Sequence, residues 1–244
     1  MCYRTCVQSR RNNERIFFFM KKEYKEDNTS ITEADLKINQ LVIDTIKKRF
    51  PKHNILAEEG SPPKQKSDYT WVCDPIDGTL PFSHGMPTCA FSLALVERGT
   101  PILGVVYDPF LERLFTAEKG KGAFVNGKKI RVSLDKTLEK NLIGMSIGVS
   151  ARFFNSLNAA GDFSKEKAKI ISLFGVVYPG VLLASGQFIA VIAKESPWDV
   201  AAIKILVEEA GGKVTDLHGN DQRYDREIQG CVLTNGKVHN RILE

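Results

Sequence analysis

The sequence has no apolar stretch long enough to cross a membrane. A spanning helix needs about 20 consecutive, mostly apolar residues, and no run among the 244 residues approaches that length. The apolar run at residues 16–20 follows a basic segment, but it is too short for a signal peptide and no small-residue cleavage site comes after it. We therefore expect no membrane partner, and we interpret residues 1–24 as an N-terminal tail or extension.

Cysteine is scarce, and its spacing does not suit metal or disulfide sites. The five cysteines form no C-x-x-C pair, and their odd number and wide spacing argue against a disulfide framework. Cys73 and Cys89 lie within apolar runs, where a thiol behaves as a small buried hydrophobe. These features favour a reducing compartment, so the sequence predicts a cytoplasmic protein.

The chain also has no concentrated patch of positive charge. Its net charge of +5 is spread thinly, with part of the excess at residues 47–49 and in the N-terminal tail. A nucleic-acid-binding domain typically carries a basic stripe interleaved with aromatic residues, and the sequence shows none. We expect no nucleic-acid partner, whereas a mildly positive field would attract small phosphorylated molecules.

Internal repeats, low-complexity tracts and linkers are absent as well. The sequence is interpreted as one domain over residues 25–244. Its N-terminal half, at about 25–148, would hold the candidate metal site described below, and its C-terminal half would cover about 149–244.

Hydrophobic periodicity and turn residues predict a layered mixture of helices and strands. Residues 32–50 are predicted as a helix, capped by Thr32 with Asp35 and ended by Pro51. Further helices are predicted at 181–185 and at 198–210. Strands are predicted at 55–57, 69–73, 90–97, 104–107, 113–117, 123–125, 142–147, 170–173, 188–193, 213–215 and 231–234, with a hairpin at Asn126-Gly127. This pattern indicates an α/β fold with mixed or antiparallel sheets.

Two aspartates follow the strand predicted at residues 69–73. Asp74 ends that strand, Pro75 fixes a turn, and Asp77 comes three residues after Asp74. Carboxylate oxygens are ligands that Mg²⁺ and Mn²⁺ prefer, and the carbonyl of Ile76 can face the same metal. An ordinary turn in which Asp74 caps backbone N–H groups would give the same short motif, so the motif alone leaves both interpretations open.

Two further acids, Glu58 and Asp199, strengthen the case for a metal site. Glu58 and Glu59 follow the strand at 55–57, and adjacent carboxylates repel unless a cation or solvent exposure relieves them. Asp199 lies in the first turn of the helix at 198–210, where the helix dipole favours an acid without any function. Taken alone, Glu58 could be a surface acid and Asp199 a capping residue.

Several ordered motifs together resemble the inositol monophosphatase family of lithium-sensitive phosphatases. They are SITEAD at 30–35, AEEG at 57–60, WVCDPIDGT at 71–79, GVVYDP at 104–109, KGKGAF at 119–124 and PWDVAA at 197–202. The resemblance covers most of the chain, from about residue 25 to about residue 235. It implies an α-β-α-β-α sandwich and a Mg²⁺-dependent phosphomonoesterase. The enzyme would hydrolyse a small phosphorylated metabolite by attack of a metal-activated water.

The resemblance also implies a set of metal ligands. One Mg²⁺ would be held by Glu58, Asp74 and the Ile76 carbonyl. A second would be shared by Asp74, Asp77 and Asp199. Two or three Mg²⁺ ions per site are expected, with Mn²⁺ as an alternative. Family members are commonly homodimers, and the sequence leaves the oligomeric state open.

The resemblance also implies which residues activate the attacking water and which bind the phosphate. By resemblance, Asp35 and Thr79 orient and activate the attacking water. The backbone N–H groups of Gly78 and Thr79 would bind the phosphate, a role that the start of a turn or helix suits. His84 is interpreted as a packing or hydrogen-bonding residue, and His53, His218 and His239 are expected to be exposed.

The sequence departs from the family at a turn and in the region that selects substrate. Pro81 stands where the family usually has Asn, and Ser172 stands where enzymes of inositol phosphates often have Arg. At Pro81 we expect a changed turn and an intact metal site. Glu195 is a candidate for the acid that contacts a substrate hydroxyl. Inositol monophosphate is the family's default substrate. Fructose 1,6-bisphosphate, histidinol phosphate and adenosine 3′,5′-bisphosphate remain alternatives, as does a non-catalytic, metal-binding regulatory protein.

Overall fold

The structure is a computed structural model that describes residues 23–25, 30–145, 161–173 and 175–244. Its helices are labelled α1 (Glu33–Arg49), α2 (Thr79–Ser83), α3 (Val177–Ala184), α4 (Pro197–Glu209) and α5 (His239–Leu243). Its strands are β1 (Glu23–Tyr24), β2 (Ser30–Ile31), β3 (Asn54–Ala57), β4 (Tyr69–Asp77), β5 (Ala90–Glu97), β6 (Thr100–Asp108), β7 (Arg113–Glu118), β8 (Gly122–Val125), β9 (Lys128–Lys129), β10 (Leu142–Met145), β11 (Lys169–Ile171), β12 (Ala190–Ala193), β13 (Lys213–Thr215) and β14 (Cys231–Thr234).

The larger sheet contains strands β3 to β9 in chain order. Strands β3 and β4 run parallel, and every later neighbour pair is antiparallel. The hairpin predicted at Asn126-Gly127 joins β8 to β9. Both residues have positive φ, 46° and 77°, as the tight turns that match strand twist require.

The smaller sheet has the order β11-β10-β12-β14-β13 and is mixed. Strand β10 pairs in parallel with both β11 and β12, whereas β14 is antiparallel to β12 and β13. Together the two sheets confirm the predicted combination of mixed and antiparallel pairing.

Helices fill the spaces around these sheets, which gives five layers. Helix α1 packs the stripe that contains Ile38 and Val42 against the outer face of the larger sheet. Helices α3 and α4 lie between the sheets in the main core, where Leu206 is fully buried. Ile242 of α5 joins the core on the far face of the smaller sheet. The predicted α-β-α-β-α sandwich is confirmed.

Most predicted elements are found, with shifts at their ends. Helix α1 carries the predicted capping box, in which Thr32 and Asp35 bond reciprocally. The helix predicted at 181–185 begins earlier, at Val177, and the strand predicted at 188–193 begins later, at Ala190. The elements β1, β2, β9, α2 and α5 are short and were not predicted as elements. Residues 146 and 147 of one predicted strand lie outside the described residues.

The burial of side chains confirms some expectations and corrects two. Cys73 and Cys89 are buried and form no disulfide, and His218 is exposed, as predicted. His53 was expected to be exposed, but it is half-buried and its Nδ1 accepts a hydrogen bond from Trp71 Nε1 at 3.1 Å. Among the described residues, no helix combines the length and apolarity needed to cross a bilayer.

The prediction that His239 is exposed was wrong, because its ring is buried. Its two ring nitrogens lie 3.0 Å and 2.9 Å from the hydroxyls of Thr215 and Thr234. A buried polar ring is tolerated when its hydrogen-bonding groups are satisfied. Burial lowers the pKa of His239 to about 4, so the ring is neutral at physiological pH.

Candidate metal centre

Three carboxylates from distant parts of the chain meet at one point. Each of Asp74, Asp77 and Asp199 offers an oxygen, and these oxygens lie within 4.8 Å of one another. Two of the residues come from the end of β4, and the third comes from the first turn of α4. These are the three acids that the family resemblance implies as ligands of a second metal ion.

An irregularity in β4 turns its two aspartates to the same side. In a regular strand, residues an odd number apart point to opposite faces, so Asp74 and Asp77 would diverge. The pairing of β4 with β5 shifts register between Asp74 and Asp77. Pro75 lies in this stretch and cannot donate to the ladder, and such bulges re-aim side chains. The proline therefore accounts for the shared direction of the two acids.

Asp199 is held by the start of its own helix. Ser196 precedes α4, Pro197 occupies the first turn, and the Ser196 N–H donates to Asp199 Oδ2 at 2.7 Å. Proline suits this position because its φ is already helical and it has no N–H to leave unpaired. Asp199 is thus both a capping residue and a member of the acidic group. The two interpretations that the sequence left open are compatible.

Asp77 is held by a helix that sequence reasoning did not connect with the site. The N–H groups of Val176 and Val177 donate to its Oδ1 and Oδ2 at 3.3 Å and 3.1 Å. A Cβ atom on Gly175 would lie 2.5 Å from Asp77 Oδ2, so only glycine permits this approach. The glycine that precedes this apolar helix could have indicated a close contact at the start of the helix. Nothing in the sequence indicated that the contact is with Asp77.

Glu58 lies beside the three aspartates and outside the group that they form. Its backbone N–H bonds the Cys73 carbonyl at 3.1 Å, which places it at the end of β3 next to β4. Its charge contributes to raising the pKa values of Asp74 and Asp199. Its Oε1 is bound to the ammonium of Lys25 at 3.0 Å, a contact that the sequence did not predict.

The pair predicted to activate water is in contact. Thr79 Oγ1 lies 3.2 Å from Asp35 Oδ1 and 2.9 Å from the Ile76 carbonyl oxygen. Asp35 is fully buried, and the Thr32 N–H donates to its other oxygen at 2.9 Å. The Ile76 N–H in turn donates to Asp74 Oδ1 at 2.8 Å. Hydrogen bonds through the carbonyl and N–H groups of Ile76 therefore link Asp35 and Thr79 to Asp74.

Gly78 and Thr79 lie where β4 passes into α2. Gly78 has a φ of 82°, which glycine adopts at little cost, and an added Cβ would lie 3.0 Å from the Thr88 carbonyl oxygen. Pro81 is buried inside α2, so the departure from the family motif falls in this helix and not among the acids. His84 is exposed and its Nδ1 lies 2.8 Å from the Leu80 carbonyl, in line with a hydrogen-bonding residue.

Burial and mutual repulsion raise the pKa values of the three aspartates. Burial is the largest cause for each of them. Glu58 and Asp199 add to the effect at Asp74, and Glu195 adds to it at Asp77 and Asp199. The pKa of Asp77 rises to about 7 although the amides at the start of α3 oppose the shift.

The donor set fits a hard divalent cation. All three ligand atoms are carboxylate oxygens, which suit Mg²⁺ better than nitrogen or sulfur donors do. Within residues 23–25, 30–145, 161–173 and 175–244, no lysine, arginine or histidine forms an ion pair with Asp74, Asp77 or Asp199. Buried carboxylates at this spacing repel unless they bind protons or a metal ion.

Comparison with known proteins agrees with this geometry. The model of the "Inositol monophosphatase family" matches residues 6–244. A "Fructose-1,6-bisphosphatase/inositol-1-monophosphatase" of Thermotoga maritima is 36% identical over 217 residues, which cover 88% of this chain and 81% of that protein. A "Histidinol-phosphatase" of Chlorobaculum parvum is 33% identical over 222 residues, covering 90% and 84% of the two chains.

Solved structures show the same similarity. The structure of a Thermotoga maritima IMPase superposes with a TM-score of 0.86 at 32% identity and covers 99% of this chain and 91% of that one. An IMPase/NADP phosphatase complexed with Mg²⁺ and phosphate superposes with a TM-score of 0.83 at 26% identity, covering 99% and 88%. With its fold, its acidic centre and its sequence all in agreement, this chain belongs to the inositol monophosphatase family of Mg²⁺-dependent phosphatases.

Proposed function

We propose that the chain hydrolyses inositol monophosphate or a related sugar or polyol monophosphate. The observation that carries the proposal is the convergence of Asp74, Asp77 and Asp199 beside the contact between Asp35 and Thr79. A metal site that only stabilised the fold would need the three aspartates but not the contact between Asp35 and Thr79. A phosphatase that activates water needs both.

In this proposal the ligands divide as the family motifs suggest. Glu58, Asp74 and the Ile76 carbonyl would hold one Mg²⁺, and Asp74, Asp77 and Asp199 would hold the other. We propose two or three ions per site, with Mn²⁺ as a substitute. When bound there, the ions supply Lewis acidity that lowers the pKa of water and neutralises phosphate charge.

Asp35 and Thr79 would prepare the attacking water. The Thr79 hydroxyl has one proton and two acceptors within reach, Asp35 Oδ1 and the Ile76 carbonyl. When it donates to Asp35, its lone pairs can accept a hydrogen bond from water and its donation to Ile76 ends. The Ile76 oxygen is then available to a metal ion. Asp35, fixed by Thr32, can finally receive the proton that the water loses.

The start of α2 would bind the phosphate. Gly78 and Thr79 precede and begin this helix, and backbone N–H groups in such a turn can bind anionic oxygens. We propose that their N–H groups position the phosphate for in-line attack. This role needs placement and charge from the protein and no covalent phospho-enzyme.

Glu195 supports a monophosphate with neighbouring hydroxyl groups as the substrate. Its charge reaches Asp77 and Asp199, since it raises the pKa of both. A carboxylate close to the acidic group can accept hydrogen bonds from substrate hydroxyls, and it repels a second phosphate on the same molecule. The proposal therefore ranks polyol and sugar monophosphates above fructose 1,6-bisphosphate and adenosine 3′,5′-bisphosphate. Histidinol phosphate, which carries one phosphate, is the nearest competitor.

Phosphate release from a panel of substrates tests this proposal. The panel contains inositol phosphate, glycerol phosphate, histidinol phosphate, fructose 1,6-bisphosphate and adenosine 3′,5′-bisphosphate, each with Mg²⁺ and with a chelator. We expect Mg²⁺-dependent release that is fastest with inositol phosphate and absent in Asp74→Asn. A bisphosphate as the preferred substrate would reject the role of Glu195. Metal binding without turnover on any compound would favour a non-catalytic, regulatory protein.

A further inference from the structure

The ammonium group of Lys25 lies at the edge of the metal centre. Its Nζ lies 3.0 Å from Glu58 Oε1 and 2.7 Å from Glu59 Oε1. The residue follows β1, and β1 pairs with β2, the strand that precedes α1. In the part of the chain that the structure describes, no other basic side chain forms an ion pair with Glu58 or Glu59.

Glu59 fixes the position of this lysine. Its side chain is only 3% exposed, whereas that of Glu58 is 20% exposed. A buried carboxylate without a charged partner is costly, and an ion pair offsets much of that cost. The contact from Lys25 to Glu59 is also the shorter of its two contacts. Glu59 is therefore the anchor, and the lysine bound to it reaches Glu58.

The lysine contacts only one of the two oxygens of Glu58. The hydrogen bond goes to Oε1, and the described residues donate no bond to Oε2. A carboxylate that is held through one oxygen presents the other in a defined direction. Partners of this kind are how proteins orient metal-ligating carboxylates.

We infer that Lys25, anchored by Glu59, is a positioning residue that holds Glu58 in the orientation in which it binds metal. The inference rests on the proposed function, which makes Glu58 a ligand of the first Mg²⁺. Because the ammonium of Lys25 contacts the carboxyl groups of both Glu58 and Glu59, it repels an incoming cation less than an unpaired ammonium would. Loss of the lysine should consequently weaken metal binding, because it frees Glu58 and leaves Glu59 without its partner.

Calorimetric titration of the full chain with Mn²⁺, and separately with Mg²⁺, measures this effect without relying on activity. Removing a residue that orients a metal ligand typically weakens metal binding about 10- to 100-fold. We expect a loss in this range for Lys25→Met and a partial recovery for Lys25→Arg, which can keep both contacts. Lys37→Met is the matched control, because Lys37 pairs with Glu33 on the exposed surface of α1.

Unchanged metal affinity in Lys25→Met, or an equal loss in Lys37→Met, would overturn the inference. The melting temperature in chelator reports whether each variant folds. If Lys25→Met does not fold, Glu59→Gln carries the test, since it removes the anchor and keeps the lysine. Wild-type protein that binds neither metal would contradict the proposed function itself, and the two failures are thus distinguishable.

Discussion

The hydroxyl of Thr79 lies 3.2 Å from Asp35 Oδ1, although 44 residues separate them in the sequence. The contact joins the start of α2 to the first turn of α1. The same hydroxyl lies 2.9 Å from the carbonyl oxygen of Ile76, which is a candidate metal ligand. In the proposed mechanism, proton transfer and metal binding would therefore be coupled through the Thr79 hydroxyl.

Replacing Thr79 tests this coupling. We expect Thr79→Ala to lower kcat by about 100-fold or more, in the range seen when acid–base assistance is removed. Mn²⁺ affinity measured by calorimetry should change little, because the three aspartates are untouched. Thr79→Ser keeps the hydroxyl and should retain most of the activity. Wild-type kcat in Thr79→Ala would contradict the role of the pair.

The raised pKa values predict an unusual pH dependence of the metal-free protein. Asp77 has a pKa of about 7 in the folded state, against 3.8 for an unperturbed aspartate. The folded state thus holds its proton more tightly than the unfolded state does. That stabilisation is complete below about pH 4 and is lost as pH rises to about 7. The maximum loss is on the order of 4 kcal/mol.

Melting temperatures in chelator between pH 4 and 8 check this prediction. Asp77→Asn is the control, because it cannot ionise. The wild type should lose stability relative to this variant as pH rises. Saturating Mg²⁺ should stabilise the wild type more than the variant, which keeps only the proposed ligands of the first ion. A constant difference between the two proteins across the pH range would mean that Asp77 does not titrate as described.

Gly175 should be as sensitive as a metal ligand, although it carries no side chain. In Gly175→Ala the new Cβ would lie 2.5 Å and 2.7 Å from the two oxygens of Asp77. We expect Asp77 to be displaced and Mn²⁺ affinity to fall at least tenfold, as for lost metal-orienting contacts. Gly161→Ala is the matched control, since its Cβ would meet nothing within 4 Å. Equal metal affinity in both variants would contradict the close approach.

Membership of the family also predicts inhibition by lithium. Li⁺ is a small, hard cation, and it can compete for the carboxylate oxygens that the second Mg²⁺ would use. We expect Li⁺ to inhibit turnover at saturating substrate, where Na⁺ at equal ionic strength does not. Full activity in Li⁺ would show that Asp77 and Asp199 do not form a site that Li⁺ can enter.

The sequence by itself determined the acids and the local structure that delivers them. Asp74 follows a run of strand-forming residues, and Pro75 breaks the ladder directly after it. Thr32 and Asp35 form a capping box within four residues of chain. Such features depend on neighbours in the sequence, so they can be read from it. The candidate metal ligands were selected among these acids by their positions in the family motifs.

Only the tertiary structure decided which groups hold those acids in place. The amides of Val176 and Val177 reach Asp77 across about 100 residues, as their separations of 99 and 100 show. Lys25 reaches Glu58 and Glu59 from the end of β1. The hydroxyls of Thr215 and Thr234 satisfy the buried ring of His239. These contacts depend on how the layers pack. The apolar faces appear in the sequence as periodic patterns, but which faces pack against each other does not, because packing joins segments that are far apart in the chain.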